Sequence, residues 1–303
     1  MTDLHAPHNV AQALAHAQRL GLERIDAQLL LLHALQRSDA GRAWLIAHDT
    51  DLLDAPAYDG FIALCQRRAT GEPTAYLTGH KEFYGLALHV DARVLDPRPD
   101  TETLVDWALE LMDEPPPTDR PLRVVDLGTG SGAIALALQH HCPNARVWAV
   151  DASADALAVA QSNAVRLGLA IECVQGNWLE ARVGASNARK DEALGHFGPF
   201  DLIVSNPPYI AAQDPHLAAL THEPLQALAS GADGLDDIRT IIAQAPAHLE
   251  PGGWLLLEHG YDQATRVQTL LTLAGLVQVH SRNDLAGIAR CTGGRWPVSE
   301  TVK

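Results

Sequence analysis

The chain has 303 residues, of which 47% are hydrophobic and 19% charged, a composition too apolar for a disordered protein. Its formal net charge of -15 argues against a long nucleic acid as partner, because proteins that grip a phosphate backbone usually carry a basic surface. No stretch is typical of a membrane span, and the N-terminus lacks a basic region followed by an apolar run, so we expect a cytoplasmic protein.

The cysteines predict neither a metal site nor a disulfide framework. They lie far apart in the sequence, with no C-x-x-C pair and no histidine at ligand spacing. We therefore expect free, buried thiols and no bound metal. The four residues are Cys65, Cys142, Cys173 and Cys291.

The first part of the chain is predicted to be helical. Between residues 10 and 69 apolar residues recur at helical spacing, which indicates a small bundle. Breakers at Gly71 and Pro73 are followed by alternating apolar residues between Phe83 and Val94, which indicate a hairpin. We assign residues 1–73 to a helical domain, 74–99 to a hairpin linker and 100–303 to a larger domain.

The larger domain is predicted to be α/β. After a helix capped by Asp100 or Thr101, strands and helices alternate, a pattern typical of a parallel sheet with helices on both faces. The Pro251-Gly252-Gly253 sequence predicts a turn. Strands are expected at residues 123–126, 146–150, 171–175, 200–205, 254–258, 277–280 and 288–292, and helices at 133–140, 153–167, 238–249 and 263–274.

A glycine-rich loop follows the first of these strands. An acidic residue at the strand end precedes glycines that let a backbone approach a ligand at a helix N-terminus, so we predict a nucleotide-like ligand. The pattern Gly128, Gly130 and Ala133 also satisfies the G-x-G-x-x-A dinucleotide motif, which leaves the cofactor open. The predicted cofactor-binding residues of the loop are Gly128, Thr129, Gly130, Ser131 and Gly132.

Two further strand ends carry candidate cofactor contacts. Asp151 follows the second strand, where a carboxylate accepts hydrogen bonds from ribose hydroxyls; its alternative role is to cap the next helix. Asn177 and Trp178 follow the third strand, where an amide meets an adenine edge and an aromatic ring covers its face. A tryptophan of the core is the alternative for Trp178.

The sequence Asn206-Pro207-Pro208-Tyr209 follows the fourth strand and indicates the chemistry. The Asn206 side-chain oxygen and the Pro207 carbonyl each accept one N–H of a planar nitrogen and stabilise the positive charge that develops on it. The prolines leave an edge without N–H donors, and Tyr209 packs over the acceptor. Asn206, Pro207 and Tyr209 are the predicted catalytic residues, Pro208 completes the substrate site, and Asn206 also adjoins the cofactor. A glutamine amide and a nucleobase amine both fit this motif; a plain turn is the structural alternative.

The chain resembles the bacterial release-factor glutamine methyltransferases of the HemK/PrmC type. The resemblance extends over nearly the whole chain and rests on the two motifs above and on several shorter segments. These are residues 71–73, 77–79, 82–83, 97–102, 205–210, 223–225 and 256–260.

That resemblance implies a helical substrate-recognition domain joined by a hairpin to a seven-stranded, Rossmann-like methyltransferase domain. It implies S-adenosylmethionine as cofactor, S-adenosylhomocysteine as product, and the glutamine of the Gly-Gly-Gln motif of peptide-chain release factors as acceptor. A monomer without direct nucleic-acid or membrane contacts is expected.

The sequence departs from the family pattern in three places. Asp96 stands where an apolar residue is usual, Asn177 replaces an aspartate, and the insertion at residues 182–198 is longer than usual. Asn177 still offers an oxygen, so weakened cofactor binding is expected. Two alternatives remain open, a nucleic-acid adenine or cytosine amino-methyltransferase and a non-catalytic dinucleotide-binding protein.

Overall fold

The computed structural model of the chain describes residues 8–114, 120–180 and 199–298. The chain divides into two compact units, Met1–His80 and Lys81–Lys303. The predicted boundaries at residues 73 and 99 stay predictions, and the insertion at residues 182–198 lies outside the described residues. No helix within the described ranges is both long and apolar enough to cross a bilayer.

The first unit is the expected helical region. Its core packs Leu30 and Leu31 against Phe61 and Cys65, all of them fully buried. The first helix is fixed by a capping box, in which the side chain of Asn9 accepts from a backbone N–H in the first turn. The helices are α1 (Val10–Arg19), α2 (Arg24–Ala34), α3 (Arg42–Ala47), α4 (Ala55–Ala69) and α5 (Thr74–Thr78).

A two-stranded hairpin follows, formed by β1 (His80–Phe83) and β2 (Leu86–His89). Positive φ values at Tyr84 and Gly85, 49° and 77°, suit the tight turn between the strands. The second strand ends earlier than the alternating pattern predicted. The side chain of Asp91 accepts from a backbone N–H two residues on, and this turn places Val94 in the core outside the strand.

The second unit is the predicted α/β domain. Its helices are α6 (Glu102–Met112), α7 (Ala133–His141), α8 (Ala154–Leu167), α9 (Asp236–Gln244) and α10 (Ala264–Leu273). Its strands are β3 (Arg123–Leu127), β4 (Arg146–Asp151), β5 (Ile171–Gln175), β6 (Phe200–Ser205), β7 (Leu249–Glu258), β8 (Val277–Asn283) and β9 (Ala289–Arg295).

The seven strands form one sheet in the order β5-β4-β3-β6-β7-β9-β8, which confirms the predicted fold. The first five strands are parallel, while β9 is antiparallel to both β7 and β8. From β3 the chain continues first to one side of the sheet and then, with β6, to the other. Open α/β sheets bind ligands at such a reversal, beyond the carboxyl ends of the strands.

Two predicted boundaries around residue 250 were wrong. The helix expected to reach residue 249 ends at Gln244 and continues only as a 3-10 turn, Ala245–Ala247, because Pro246 has no N–H to donate to the carbonyl one helical turn earlier. The turn predicted at residues 251–253 lies inside β7 as an irregularity in its pairing with β6. A Cβ on Gly253 would lie 3.0 Å from the Phe200 carbonyl oxygen, so glycine permits this close approach.

Candidate active site

A cavity lies at the carboxyl edge of the sheet, beside the reversal between β3 and β6. Each of the strands β3, β4, β5 and β6 delivers a predicted site residue to it from the segment at or just beyond its end. The predicted residues that line the cavity are Gly128, Gly130, Asp151, Asn177, Trp178, Asn206 and Pro208.

The three glycines of the loop after β3 have positive φ angles of 71°, 54° and 83°, and they differ in what surrounds them. A Cβ on Gly128 would lie 3.2 Å from the ring of Trp178. A Cβ on Gly132 would meet Leu136 at 3.0 Å, where helices α7 and α8 pack. A Cβ on Gly130 would have no described atom within 4 Å. Gly130 is therefore the position where the loop leaves room for a ligand.

Asp126 holds the glycine loop in place through two hydrogen bonds. Its Oδ2 accepts from the Thr129 hydroxyl at 2.6 Å and from the backbone N–H of Ala135 at 3.2 Å. Complete burial raises the pKa of Asp126 to about 7. Thr129 and Ser131 are themselves buried, and the Ser131 carbonyl accepts from Asn163 at 2.9 Å. The side chains of Asp126, Thr129 and Ser131 therefore fix the conformation of the loop and do not line the cavity.

Asp151 joins the glycine loop to the end of β4. Its Oδ2 accepts from the Gly130 N–H and its Oδ1 from the Ser153 N–H, both at 2.9 Å. Burial raises the pKa of Asp151, while these backbone hydrogen bonds oppose the rise. Ser153, and not Asp151, caps helix α8. Each carboxylate oxygen keeps a lone pair that can accept a ligand hydroxyl in the cavity.

Trp178 and Asn177 form the wall beyond β5. Trp178 has a φ of 53°, a conformation that a tryptophan adopts rarely and that is common at ligand sites. Its half-buried ring packs against the core and also lines the cavity, so the two roles considered for it coexist. The Asn177 side chain is exposed at the cavity, while its carbonyl accepts from the Glu180 N–H.

Two hydrogen bonds fix the end of β6 and the Asn206 side chain that follows it. The hydroxyl of Ser205 donates to the Leu127 carbonyl at 2.7 Å, which ties the ends of β6 and β3 together. The Asn206 Nδ2 donates to Thr101 Oγ1 at 3.2 Å. Pro207 is buried, and no hydrogen bond between described residues uses its carbonyl.

Tyr209 points to a second buried acid. Its hydroxyl donates to Glu258 Oε1 at 3.2 Å, and its backbone carbonyl accepts from Gln263 at 3.0 Å. Gly234 packs against that carbonyl so closely that a Cβ would lie 2.2 Å from the oxygen. Burial raises the pKa of Tyr209 and raises that of Glu258 to about 7, with Thr101 and Tyr209 opposing the latter rise through hydrogen bonds.

Several predicted site residues do not line the cavity in the described part of the chain. They are Thr129, Ser131, Gly132, Pro207 and Tyr209. Sequence reasoning considered Thr101 only as a helix cap and gave no role to Glu258, and both contact the Asn206 to Tyr209 segment. Both lie in segments on which the family resemblance rests, and that was the available signal. Within the described ranges no group of three or more His, Cys, Asp or Glu side chains is placed to hold a metal ion.

Comparison with protein families gives two matches that together cover most of the chain. The model of the PrmC N-terminal domain matches residues 6–79. The model of the methyltransferase small domain matches residues 102–282.

Curated relatives align along almost their whole length. A release factor glutamine methyltransferase of Xylella fastidiosa (strain Temecula1) is 49% identical, with 96% of this chain and 99% of the relative covered. The protein of that name from Bordetella pertussis is 48% identical over 90% of this chain and 95% of its own. The one from Escherichia coli K12 is 40% identical over 95% and 98%.

Among solved structures, the hMettl16 catalytic domain in complex with the MAT2A 3'UTR hairpin 6 has a TM-score of 0.53. It is 17% identical in sequence, and the alignment covers 78% of this chain and 83% of that one. At this identity the likeness concerns the fold alone.

Proposed function

Because the chain belongs to the release factor glutamine methyltransferase family, we propose that it methylates the side-chain amide nitrogen of a release factor glutamine, with S-adenosylmethionine as methyl donor. The acceptor is the glutamine of the Gly-Gly-Gln motif. The observation that carries this proposal is the position of Asn206-Pro207-Pro208-Tyr209 at the end of β6, beside a cavity floored by the glycine loop.

The residues of the cavity fit the cofactor. Gly130 leaves space where a Cβ would point, and the Asp151 carboxylate presents acceptors for the two ribose hydroxyls. The Trp178 ring offers an aromatic surface for the adenine, and the Asn177 amide offers hydrogen bonds for its edge. When bound, S-adenosylmethionine supplies a methyl group activated by its sulfonium.

The protein's task is to orient a weak nucleophile. An amide nitrogen shares its lone pair with the carbonyl, so the site has to hold both N–H groups and turn the nitrogen toward the methyl donor. The Asn206 side-chain oxygen and the Pro207 carbonyl are the two acceptors. As the nitrogen becomes positive in the transition state, both oxygens stabilise it more strongly than in the ground state.

Mass spectrometry of a release factor after incubation with the protein and S-adenosylmethionine tests this function. We expect the Gly-Gly-Gln peptide to gain the mass of one CH₂, because a methyl group replaces one amide hydrogen, and we expect fragmentation to localise the gain to the glutamine. A release factor with alanine in place of that glutamine is the matched control and stays unmodified. Transfer to DNA or RNA oligonucleotides with none to the release factor would contradict the proposal.

Calorimetry separates the methyltransferase from a dinucleotide-binding protein with the same loop. We expect S-adenosylmethionine and S-adenosylhomocysteine to bind and NAD not to bind. Binding of NAD alone would refute the assignment of the cavity.

A further inference from the structure

We propose that Arg98 and Glu223 are positioning residues for the acceptor glutamine, because their ion pair closes a ring of three chain segments around the site that grips the amide. The inference rests on the proposed function, since it concerns how that amide is held. The three segments are residues 94–101, 206–210 and 223–230, and each of them contributes residues to the wall of the cavity. Neither Arg98 nor Glu223 lines the cavity itself among the described residues.

The middle segment of the ring is linked to both of the others by hydrogen bonds. The Asn206 Nδ2 donates to Thr101 Oγ1 at 3.2 Å. The Ile210 N–H donates to the Leu228 carbonyl at 2.9 Å, and the Ile210 carbonyl accepts from the Ser230 N–H at 2.9 Å. These links attach the first segment to the start of the middle segment and the third segment to its end.

The ion pair joins the first segment to the third. Arg98 Nη2 donates to Glu223 Oε1 at 2.6 Å, and Glu223 Oε2 accepts from the backbone N–H of Asp96 at 3.3 Å. The Glu223 side chain is only 3% exposed, so water competes little for these hydrogen bonds. A hydrogen bond between charged groups is also stronger than one between neutral groups. Glu223 therefore holds both a side chain and the backbone of the first segment.

The residues next to the ion pair form part of the cavity wall. Leu95 comes just before Asp96 and Pro224 just after Glu223, and both line the cavity together with Pro208 of the acceptor motif. Because Glu223 binds the first segment directly after Leu95, it fixes the separation of Leu95 and Pro224. The space beside Pro208 therefore has a fixed width, and the acceptor side chain is held where its amide reaches its two acceptors.

Asp96 is a second acid beside Arg98, and it has a cation of its own. Arg98 Nη1 lies 3.6 Å from Asp96 Oδ2, a longer contact than the one with Glu223. Lys81 Nζ lies 3.1 Å from Asp96 Oδ1. Lys81 thus balances the charge of the buried Asp96 carboxylate, and Arg98 stays available for Glu223.

Three variants test the role of the ion pair. Glu223→Gln keeps the shape of the side chain, but its single acceptor oxygen serves one of two donors and its NH₂ group faces the other. Arg98→Met removes the guanidinium. We expect both variants to lower kcat for release factor methylation by about 10- to 100-fold, because a misplacement of about 1 Å at the reacting amide costs this much. Arg98→Lys keeps a cation and should lose less than about fivefold, since a single Nη atom contacts Glu223.

Two further constants distinguish positioning from a general loss of structure. The Kd of S-adenosylmethionine, measured by calorimetry, should stay within about threefold in all three variants, with one cofactor bound per chain. The KM for the release factor should change less than kcat, because a misoriented amide weakens the transition state more than the bound ground state. The double variant Arg98→Met/Glu223→Gln should be no slower than the slower single variant, because both substitutions act through one contact.

Asp201 provides the matched control. Its carboxylate accepts from the Arg120 guanidinium at 2.7 Å and from the Arg123 N–H at 2.8 Å, the same two kinds of donor that Glu223 has. Asp201 lies near the start of β6, at the other end of the strand from Asn206, and it is not among the described residues that line the cavity. Asp201→Asn should lower the melting temperature about as much as Glu223→Gln and leave kcat unchanged.

An unchanged kcat in Glu223→Gln would overturn the inference, and so would an equal loss of kcat in Asp201→Asn. A loss of cofactor affinity as large as the loss of kcat would also overturn it, because the pair would then hold the cofactor site and not the acceptor. Absence of methylation by the unsubstituted enzyme would instead refute the proposed function. The two failures are therefore distinguishable in one series of assays.

Discussion

Substitution of Gly130 by alanine tests the cofactor site most directly. Gly130 has a φ of 54°, and a Cβ built on it meets no described atom within 4 Å. The protein itself therefore has room for the methyl group, and the cost to folding is the left-handed backbone alone, roughly 1 kcal/mol. For a domain of this size that corresponds to a fall in melting temperature of about 2–4 °C.

Gly168 provides the matched control. It ends helix α8 with a φ of 67°, and a Cβ there also meets nothing within 4 Å, but it does not line the cavity. Gly168→Ala should lower the melting temperature by a similar amount and leave cofactor binding intact.

The two variants should differ in cofactor affinity. A methyl group on Gly130 occupies space that the cofactor needs, and overpacking of this kind costs about 1–3 kcal/mol, or roughly 5- to 150-fold in Kd. Differential scanning fluorimetry gives the melting temperatures and calorimetry the Kd of S-adenosylmethionine. Unchanged affinity in Gly130→Ala would refute the placement of the cofactor over this loop.

Three further predictions concern the polar residues of the site. Asn206→Ala should lower kcat by about 10²–10³ with little change in the Kd of S-adenosylmethionine, measured by methylation kinetics and calorimetry; equal losses in both would contradict its role. Asp151→Asn should weaken cofactor binding by about 10- to 100-fold, since an NH₂ group replaces an acceptor, while kcat at saturating cofactor stays near its original value. The kcat should fall as the pH drops through about 7, because Glu258 is then protonated and its carboxyl group can donate a hydrogen bond as well as accept the one from Tyr209. Glu258→Gln should remove this dependence, and an unaltered pH profile would disprove its origin in this acid.

The elements that follow from periodicity were predictable. Strands β5 and β6 and the end of helix α8 at Leu167 lie where the apolar patterns placed them. The end of α9 at Gln244 was missed although Pro246 signals it, whereas the start of β7 at Leu249 depends on how β7 pairs with β6. The Pro251-Gly252-Gly253 sequence is typical of a turn, and only the close approach to Phe200 shows why a strand uses it.

The sequence allowed the cavity residues at each strand end to be predicted separately, but not the contacts between the segments that carry them. Gly128, Asp151 and Asn206 each follow a strand, and parallel strands end at the same edge of a sheet. The hydrogen bond between Thr101 and Asn206 joins residues 105 positions apart, and the one between Tyr209 and Glu258 depends on the strand order. Single-sequence reasoning sees neither, because no local pattern encodes a contact between a helix start and two strand ends.

Two buried acids, Asp126 and Glu258, and the half-buried Asp151 surround the site, and each costs the protein stability. Burial raises the pKa of Asp126, Asp151 and Glu258, so the folded state holds their protons more tightly than the unfolded chain. For such groups the stability that they contribute decreases as the pH rises above the usual carboxyl pKa, and for Asp126 and Glu258 this decrease extends to about pH 7. Apolar residues would fill the same space without that cost. Each acid, however, fixes a different polar geometry: Asp126 holds the loop, Asp151 holds Gly130 and faces the ligand, and Glu258 accepts from the Tyr209 hydroxyl. A site that presents hydrogen-bond acceptors to a substrate amide in one orientation needs polar side chains that hold those acceptors in place. Apolar side chains cannot do this, because they make no hydrogen bonds.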